Sequence, residues 1–273
     1  MGGDALPRVV RRLNAKLPAG MPGLHAGTRA VHGRPPTRAH ARGYDAGVIV
    51  VIGHPVLRAL NLGGGADGPA ARIAITAAAA GRTVQLVGKV GDDPEGDRLL
   101  LALADEGVGH VALLRDPARR TPVLTAEAPD PDDAELTPDE PPGPTIEPPD
   151  PAAWPTLEPA DVELALRYLT DYRVIVVAEP GRPDLVDVAA AAAAYGEAAL
   201  IVLTAHGGDG PPGATVIERP DTDPDGAFAT LVGTLAADLD AGALPDDGIT
   251  GEAARLGWSR SEDEAAAEAE PTA

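Results

Sequence analysis

One stretch of the sequence, Gly63 to Val108, constrains the fold more than any other. It reads as a glycine-rich turn, a helix that begins at Pro69, a strand over Thr83–Gly88, a Gly-Asp turn and a second helix that begins at Pro94. Proline suits the first turn of a helix, and the glycine that follows each predicted helix suits its end. Helices that alternate with strands through short connections predict right-handed crossovers and a parallel sheet.

Apolar, β-branched runs indicate further strands, because such runs are typical of strands buried on both faces of a parallel sheet. Strands are predicted over 47–53, 108–114, 173–178, 198–204 and 214–218, and helices over 159–170, 185–195 and 226–239. The residues from 54 to 62 are predicted to be a linker. The pattern therefore predicts one α/β domain over residues 44–250, with three layers and a mostly parallel central sheet.

Three segments lack the pattern of a packed fold. Residues 1–43 contain eight of the 22 Lys and Arg residues, one acid and no sustained periodicity, and we expect a disordered basic arm. Thirteen prolines lie from position 117 to position 159, which predicts an irregular acidic loop over 117–158, since proline breaks helices and strand interiors. Residues 251–273 are predicted to be an acidic tail.

Composition excludes several classes of function. The chain has no cysteine, which rules out disulfides and a cysteine nucleophile. A net charge of −20 argues against binding to nucleic acid or to anionic membranes. Because no apolar run is long enough to cross a membrane, a cytoplasmic protein is expected. The sequence does not indicate an oligomeric state or name a partner, and a small-molecule ligand remains open.

Two motifs carry a resemblance to a known family. Val87–Gly96 reads VGKVGDDPEG and leads into a leucine-rich helix that ends in Glu-Gly-Val. Asp221–Phe228 reads DTDPDGAF and also leads into a helix. Together they resemble the ribokinase-like (PfkB-type) carbohydrate kinases over about residues 45–243. The resemblance implies a ribokinase-like domain that uses ATP and Mg²⁺ to phosphorylate a hydroxyl of a sugar or nucleoside.

The second motif departs from the family's Asp-Thr-x-Gly-Ala-Gly-Asp-Ala-Phe. In the family this turn supplies backbone N–H groups for phosphate and an Asp that acts as base. The resemblance therefore places nucleotide contacts at Thr222, Gly226 and Ala227. The base position falls on Gly226 or Ala227, depending on the register, and neither residue can accept a proton. Asp225 could replace the base only if the turn were rebuilt.

The positions that would meet a substrate also differ. The family's Gly-Gly falls on Asp67 and Gly68, and its sugar-contacting Asn falls on Arg72, so substrate contacts are implied at these three residues. An Arg there favours an anionic ligand, although a solvent-facing Arg is an equally good interpretation. The family's Asn-x-x-Glu motif cannot be found. A β-strand lid over the substrate is expected to be reduced or absent, because the first strand leads almost directly into the glycine turn.

Other patterns in the sequence support no strong alternative. Gly63-x-Gly65-x-x-Gly68 matches a dinucleotide fingerprint but does not directly follow a strand. No pair of histidines has metal-ligand spacing, and His54 and His206, which follow predicted strands, are best interpreted as ordinary loop residues.

Two hypotheses remain. In the first, which the departures favour, the chain is a catalytically weakened or inactive kinase relative with a binding or regulatory role. In the second, it is an active ATP-dependent kinase of a small molecule that uses Asp225 as base.

Overall fold

The computed structural model describes residues 47–126, 144–205, 208–220, 223 and 226–243 of the chain. The predicted arm 1–43 and tail 251–273 lie outside these residues, as do Thr222 and Asp225 of the second motif. The described elements are β1 (Val48–Ile52), β2 (Val56–Arg58), β3 (Ala66–Asp67), α1 (Pro69–Ala79), β4 (Thr83–Gly91), α2 (Pro94–Asp105), β5 (Leu113–Asp116), β6 (Val123–Ala126), β7 (Pro144–Glu147), α3 (Pro159–Tyr168), β8 (Tyr172–Val177), α4 (Pro183–Gly196), β9 (Ala199–Thr204), β10 (Thr215–Glu218) and α5 (Ala227–Asp240).

Six parallel strands form the central sheet, in the order β10-β9-β8-β1-β4-β5. The β-branched runs of β1 and β8 lie side by side in its middle, with Val50 opposite Ile175 on one side and Gln85 on the other. These strands are buried on both faces, as their continuous apolar sequences require. The predicted three-layer α/β architecture with a parallel central sheet is confirmed.

Helices cover both faces of the sheet and divide the core into two halves. On one face, α1, α2 and α5 pack against residues such as Ile49 and Val51 of β1. On the other, α3 and α4 pack against Val50 and Ile52. The helices approach closely because their contact residues are small. A Cβ added at Gly233 of α5 would lie 2.6 Å from the Cβ of Thr76 in α1.

A second, smaller sheet has the order β3-β2-β6-β7. Strand β2 runs antiparallel to β3 and parallel to β6, and β6 runs antiparallel to β7. The prediction of a linker over 54–62 is therefore wrong, since β2 lies within it. The prediction of an irregular loop over 117–158 is also wrong at both ends, which contain β6 and β7, while 127–143 lie outside the described residues. The lid over the substrate was expected to be either reduced or absent. The small sheet shows that it is not absent.

Two smaller differences concern the edge of the central sheet and the segment after β7. The strand predicted over 108–114 begins only at Leu113, because residues 109–112 form a single bridge to Gln85 and then a turn. After β7 the chain is anchored by Leu157, which is fully buried, and by Trp154, whose Nε1 donates to the Pro148 carbonyl at 2.8 Å. Within the described part of the chain, none of the helices combines the length and apolar character needed to span a bilayer.

Candidate functional site

A cavity of about 180 Å³ lies where the small sheet meets the amino ends of α1 and α5. Each of the four strands of the small sheet contributes a wall residue, so this sheet covers the cavity. The residues that follow β10 close the opposite side. The lining consists of Val56, Asp67, Gly68, Pro69, Arg72, Leu124, Ile146, Arg219, Pro220, Asp223 and Phe228. The cavity thus brings together the three implied substrate residues and the start of α5.

Asp67 is the most densely bonded polar group of the cavity. It is only 3% exposed, and its Oδ1 accepts from the Gly68 amide at 2.7 Å and from Arg72 Nε. Its Oδ2 accepts from Arg58 Nε at 2.9 Å and from Arg72 Nη2 at 3.3 Å. Two guanidinium groups therefore hold one buried carboxylate at the entrance to α1.

These contacts keep Asp67 ionised. Burial by itself would raise the pKa of the carboxyl, but the hydrogen bond from Arg72, the Gly68 amide and the charges of Arg72 and Arg58 outweigh it and lower the pKa. Arg72 therefore has an internal anionic partner in Asp67. The sequence predicts either an external anion or solvent as the partner of this arginine. It does not indicate the contact with the Asp67 side chain.

The amino end of α5 is capped by a carboxylate from the preceding turn. Asp223 Oδ1 accepts from the Phe228 amide at 3.0 Å, and Oδ2 accepts from the Ala229 amide at 3.1 Å. Gly226 precedes the helix with a φ of 71°, in the left-handed region that favours glycine. The Asp223 carboxylate therefore bonds the first turn of the helix directly.

Arg72 also connects α1 with the start of α5. A Cβ added at Gly226 would collide with Arg72 Nη1 and would lie 3.3 Å from Arg72 Cδ. Gly226 is one of the two positions where the resemblance places the catalytic base. A side chain at Gly226 would require Arg72 to move and would be strained by the positive φ, so an Asp could not simply be restored there.

The arrangement does not leave the first-turn amides of α5 free for the phosphates that the resemblance implies. The first-turn amides of Phe228 and Ala229 already donate to Asp223, so they are not available to a phosphate oxygen. Among the described residues, no group of three or more His, Asp or Glu side chains could hold a metal ion. Thr222 and Asp225 lie outside the described residues, and Ala227 is the first residue of α5.

A partly buried His–Glu pair lies close to the cavity but does not line it. His54, after β1, faces Glu179, after β8, with 2.8 Å between Nδ1 and Oε1. The other ring nitrogen, Nε2, lies 2.7 Å from the Pro155 carbonyl oxygen. Glu179 was missed by the sequence analysis, because only the parallel pairing of β1 with β8 brings it beside His54.

The Gly-Asp turn before α2 has a structural role, as predicted. Asp93 caps α2 by accepting from the Gly96 amide at 2.8 Å, and it also accepts from the amide and hydroxyl of Thr121 at 2.9 and 2.7 Å. The neighbouring Asp92 side chain is 63% exposed. Of the two aspartates, Asp93 is therefore the cap of α2.

Comparison with known proteins identifies the family. The sequence pattern of the pfkB family carbohydrate kinases matches residues 53–204, which is more than half of the chain. The chain belongs to this family. The matched part of this PfkB-family chain includes Asp67, Arg72, His54 and Glu179, and it ends before Asp223. No curated protein matches the sequence significantly.

Solved structures share the fold of this PfkB-family chain at low identity. One is described as a ribokinase II from E. coli in complex with ATP and Mg²⁺, with a TM-score of 0.53, 14% identity and coverage of 76% of this chain and 90% of that one. A PfkB protein from Polaromonas sp. JS666 has a TM-score of 0.51 and 16% identity, and the match covers 76% of this chain and 94% of that protein. Arabidopsis thaliana ribokinase, complexed with ribose and ATP, has a TM-score of 0.51 and 15% identity, and the match covers 77% of this chain and 91% of that protein. These similarities show a ribokinase-like fold.

Proposed function

We propose that this chain is a cytoplasmic PfkB-family protein that binds a small molecule and has weakened or lost phosphoryl transfer. Its role would then be binding or regulation. The proposal rests above all on Asp223, whose carboxylate occupies the first-turn amides of α5. A phosphate would have to displace a covalently attached anion from these donors, and like charges repel at such short range.

The substrate side of the site supports the same proposal. Arg58 and Arg72 are committed to Asp67, and Arg72 also lies against Gly226, where a base would be needed. A cavity of about 180 Å³ is smaller than the roughly 300–1,000 Å³ of most small-molecule sites, so the ligand would be small. Apolar walls at Leu124 and Ile146, together with Arg219 at the rim, suit a compact ligand that carries an anionic group.

The second candidate is an active ATP-dependent kinase of a sugar or nucleoside, with Asp225 as base. It is favoured by the fold, because two of the structurally similar proteins are described in complex with ATP. For this candidate the turn at 221–225 would have to rearrange so that Asp223 leaves the amides of α5. ATP and Mg²⁺ would be required for the reaction.

Nucleotide binding is the first test. Thermal unfolding of the full chain would be measured with and without Mg-ATP, and we expect no shift of the midpoint. A nucleotide present at 100 times its Kd would add about 2.7 kcal/mol to the free energy of unfolding, so binding would be readily detected.

Phosphoryl transfer is the second test. The full chain would be incubated with ATP, Mg²⁺ and a panel of sugars and nucleosides, and transfer above the protein-free background is not expected. Asp225→Asn and, as a control, the exposed helix residue Asp105→Asn would be compared with the unmodified chain. Turnover that survives Asp105→Asn and disappears with Asp225→Asn would overturn the proposal in favour of the active kinase.

A further inference from the structure

A second and larger groove lies near the amino-terminal ends of the central strands, away from the candidate site. Its volume is about 790 Å³, and it lies between α3, α4 and the amino end of β8. The floor is apolar, and two acids and one arginine lie on its walls. The polar and aromatic side chains that line it are Glu163, Arg167, Thr170, Asp171, Tyr172 and Tyr195.

Within the described part of the chain, the exposed tyrosines lie on the wall of this groove or beside it. The whole chain has only four Tyr, two Trp and one Phe. Tyr195, on the groove wall, is 92% exposed, and Tyr168, at the end of α3, is 79% exposed. Tyr172 lies against Gly196 and donates from its hydroxyl to the Ala192 carbonyl. Exposed tyrosines are typical of surfaces that bind a polypeptide.

The chain enters the fold beside this groove. Val48, the first residue of β1, pairs with Tyr172, and its amide donates to the Asp171 carbonyl at 3.0 Å. Both of these partners line the groove. The 46 residues that precede Gly47 are therefore tethered at its rim. About ten extended residues span roughly 33 Å, which is more than the length of α3.

The charge of this amino-terminal segment complements the rest of the chain. Residues 1–46 contain eight Lys or Arg and two Asp or Glu, whereas the remaining residues contain 14 basic and 40 acidic side chains. In the groove, Glu163 and Asp171 outnumber Arg167. Three of the arginines, Arg34, Arg38 and Arg42, precede Gly47 by 13 residues or fewer.

We propose that the amino-terminal segment of residues 1–46 docks in this groove of its own chain. For arginine side chains, the groove offers the exposed rings of Tyr195 and Tyr168 as stacking surfaces and the carboxylates of Glu163 and Asp171 as charge partners. The tether makes the contact intramolecular, so even a weak interaction is sufficient, because short linkers give millimolar effective concentrations. The proposal is independent of the function assigned to the cavity.

The absence of cysteine allows a direct cross-linking test in the full chain. Thr37→Cys places a thiol in the segment without removing an arginine. It would be combined with Thr170→Cys, which lines the groove, or with Thr83→Cys, which lies at the same edge of the sheet. Thr170 and Thr83 are both exposed. They lie on opposite sides of Val48 at the start of β1: Thr83 pairs with Val48 on one side, and Thr170 lies two positions before Tyr172, which pairs with Val48 on the other.

Under mild oxidation at low salt, the intramolecular disulfide is expected to form at least about fivefold faster in the Thr37–Thr170 pair than in the Thr37–Thr83 pair. High salt should reduce this ratio, because the contact is partly electrostatic. Equal rates in the two variants would overturn the proposal. A disulfide between two chains would also overturn it, since a second copy would then be the occupant.

A further variant tests the role of the tyrosines. Tyr195→Ala combined with Tyr168→Ala, in the Thr37–Thr170 background, is expected to remove most of the rate advantage. Both side chains are largely exposed, so folding should be unaffected, as circular dichroism would verify. Leu101→Ala on α2 serves as the control, because Leu101 is 66% exposed on the other face of the molecule. An unchanged rate in the tyrosine variant would contradict the proposed contact.

Discussion

His54 is held in its protonated form by two acceptors. Its Nδ1 faces Glu179 Oε1 and its Nε2 faces the Pro155 carbonyl, and only an imidazolium can donate at both positions. Burial by itself would lower the pKa of His54, and Arg182 also opposes protonation. The hydrogen bond and charge of Glu179, together with the Pro155 carbonyl, outweigh both and raise the pKa. The protonated ring therefore ties the segment after β7 to the ends of β1 and β8.

The stability of the protein is expected to fall as the pH rises above neutrality. The folded-state pKa of His54 is raised, so the protonated side chain contributes fully to the free energy of unfolding below about pH 6.5. This contribution is lost as the pH rises through the folded-state pKa. The pKa of Glu179 is lowered, because contacts with His54 outweigh burial, so its contribution is lost only in acid, below about 4.3. Urea unfolding at several pH values would measure this slope.

The slope above neutrality should disappear in His54→Gln. The exposed histidine variant His110→Gln is the control and should keep the slope of the unmodified chain. A His54→Gln chain whose stability still fell with rising pH would contradict this assignment.

Loss of Arg72 is expected to destabilise the fold. Arg72→Ala leaves the buried Asp67 carboxylate with Arg58 and the Gly68 amide as its remaining partners, which should cost about 2–3 kcal/mol in the free energy of unfolding. Urea denaturation would measure the loss. Arg98→Ala is the matched control, because Arg98 pairs with Glu95 on an exposed helix face and should contribute less than about 1 kcal/mol. Equal losses in the two variants would be inconsistent with a buried ion pair.

At the scale of single elements, the two adjacent aspartates before α2 are expected to differ sharply. Asp93→Ala removes the cap of α2 and two bonds to Thr121, and should cost about 2–3 kcal/mol in the free energy of unfolding. Asp92→Ala, one residue earlier and largely exposed, should change it by less than about 0.5 kcal/mol. Urea denaturation of both variants gives the comparison. Similar losses would argue against the cap.

The start of α5 depends in the same way on Asp223. Asp223→Ala removes two hydrogen bonds and a negative charge from the amino end of the helix, which should cost about 1–2 kcal/mol. Hydrogen exchange at the amides of Phe228 and Ala229 should accelerate. The exposed Asp209→Ala variant should leave both stability and exchange unchanged. Unaltered exchange in Asp223→Ala would show that the carboxylate does not hold these amides.

For the molecule as a whole, the sequence predicted the elements whose residues carry their own pattern. The apolar runs of β1 and β8, and the helices that begin at Pro69 and Pro94, were all predicted close to their observed bounds. Each is recognisable because its consecutive apolar residues are buried or because a proline marks its start. The parallel sheet follows from their alternation.

The small sheet could not be predicted in this way. Its strands have two to four residues, too few to show a periodicity, and β7 begins at a proline. Strand β2 lies between β3 and β6, and its pairing with β6 places Leu57 opposite Val123, far along the chain. The Asp67–Arg72 pair and the cap by Asp223 likewise depend on how turns close in three dimensions. Residue types alone do not indicate these partners.

Arg72 lies against Gly226, so we expect substitutions at these two positions to depend on each other. Gly226→Asp alone puts a side chain at positive φ into Arg72 Nη1, and Arg72→Asn alone weakens the hold on Asp67 without supplying a base. The double variant should be less unstable than the sum of the two, with a coupling of at least about 1 kcal/mol in a double-mutant cycle measured by urea unfolding. Additive losses would contradict this dependence. If the coupling holds, each of the two changes costs less once the other has been made, so the contact limits the order in which these two positions can evolve.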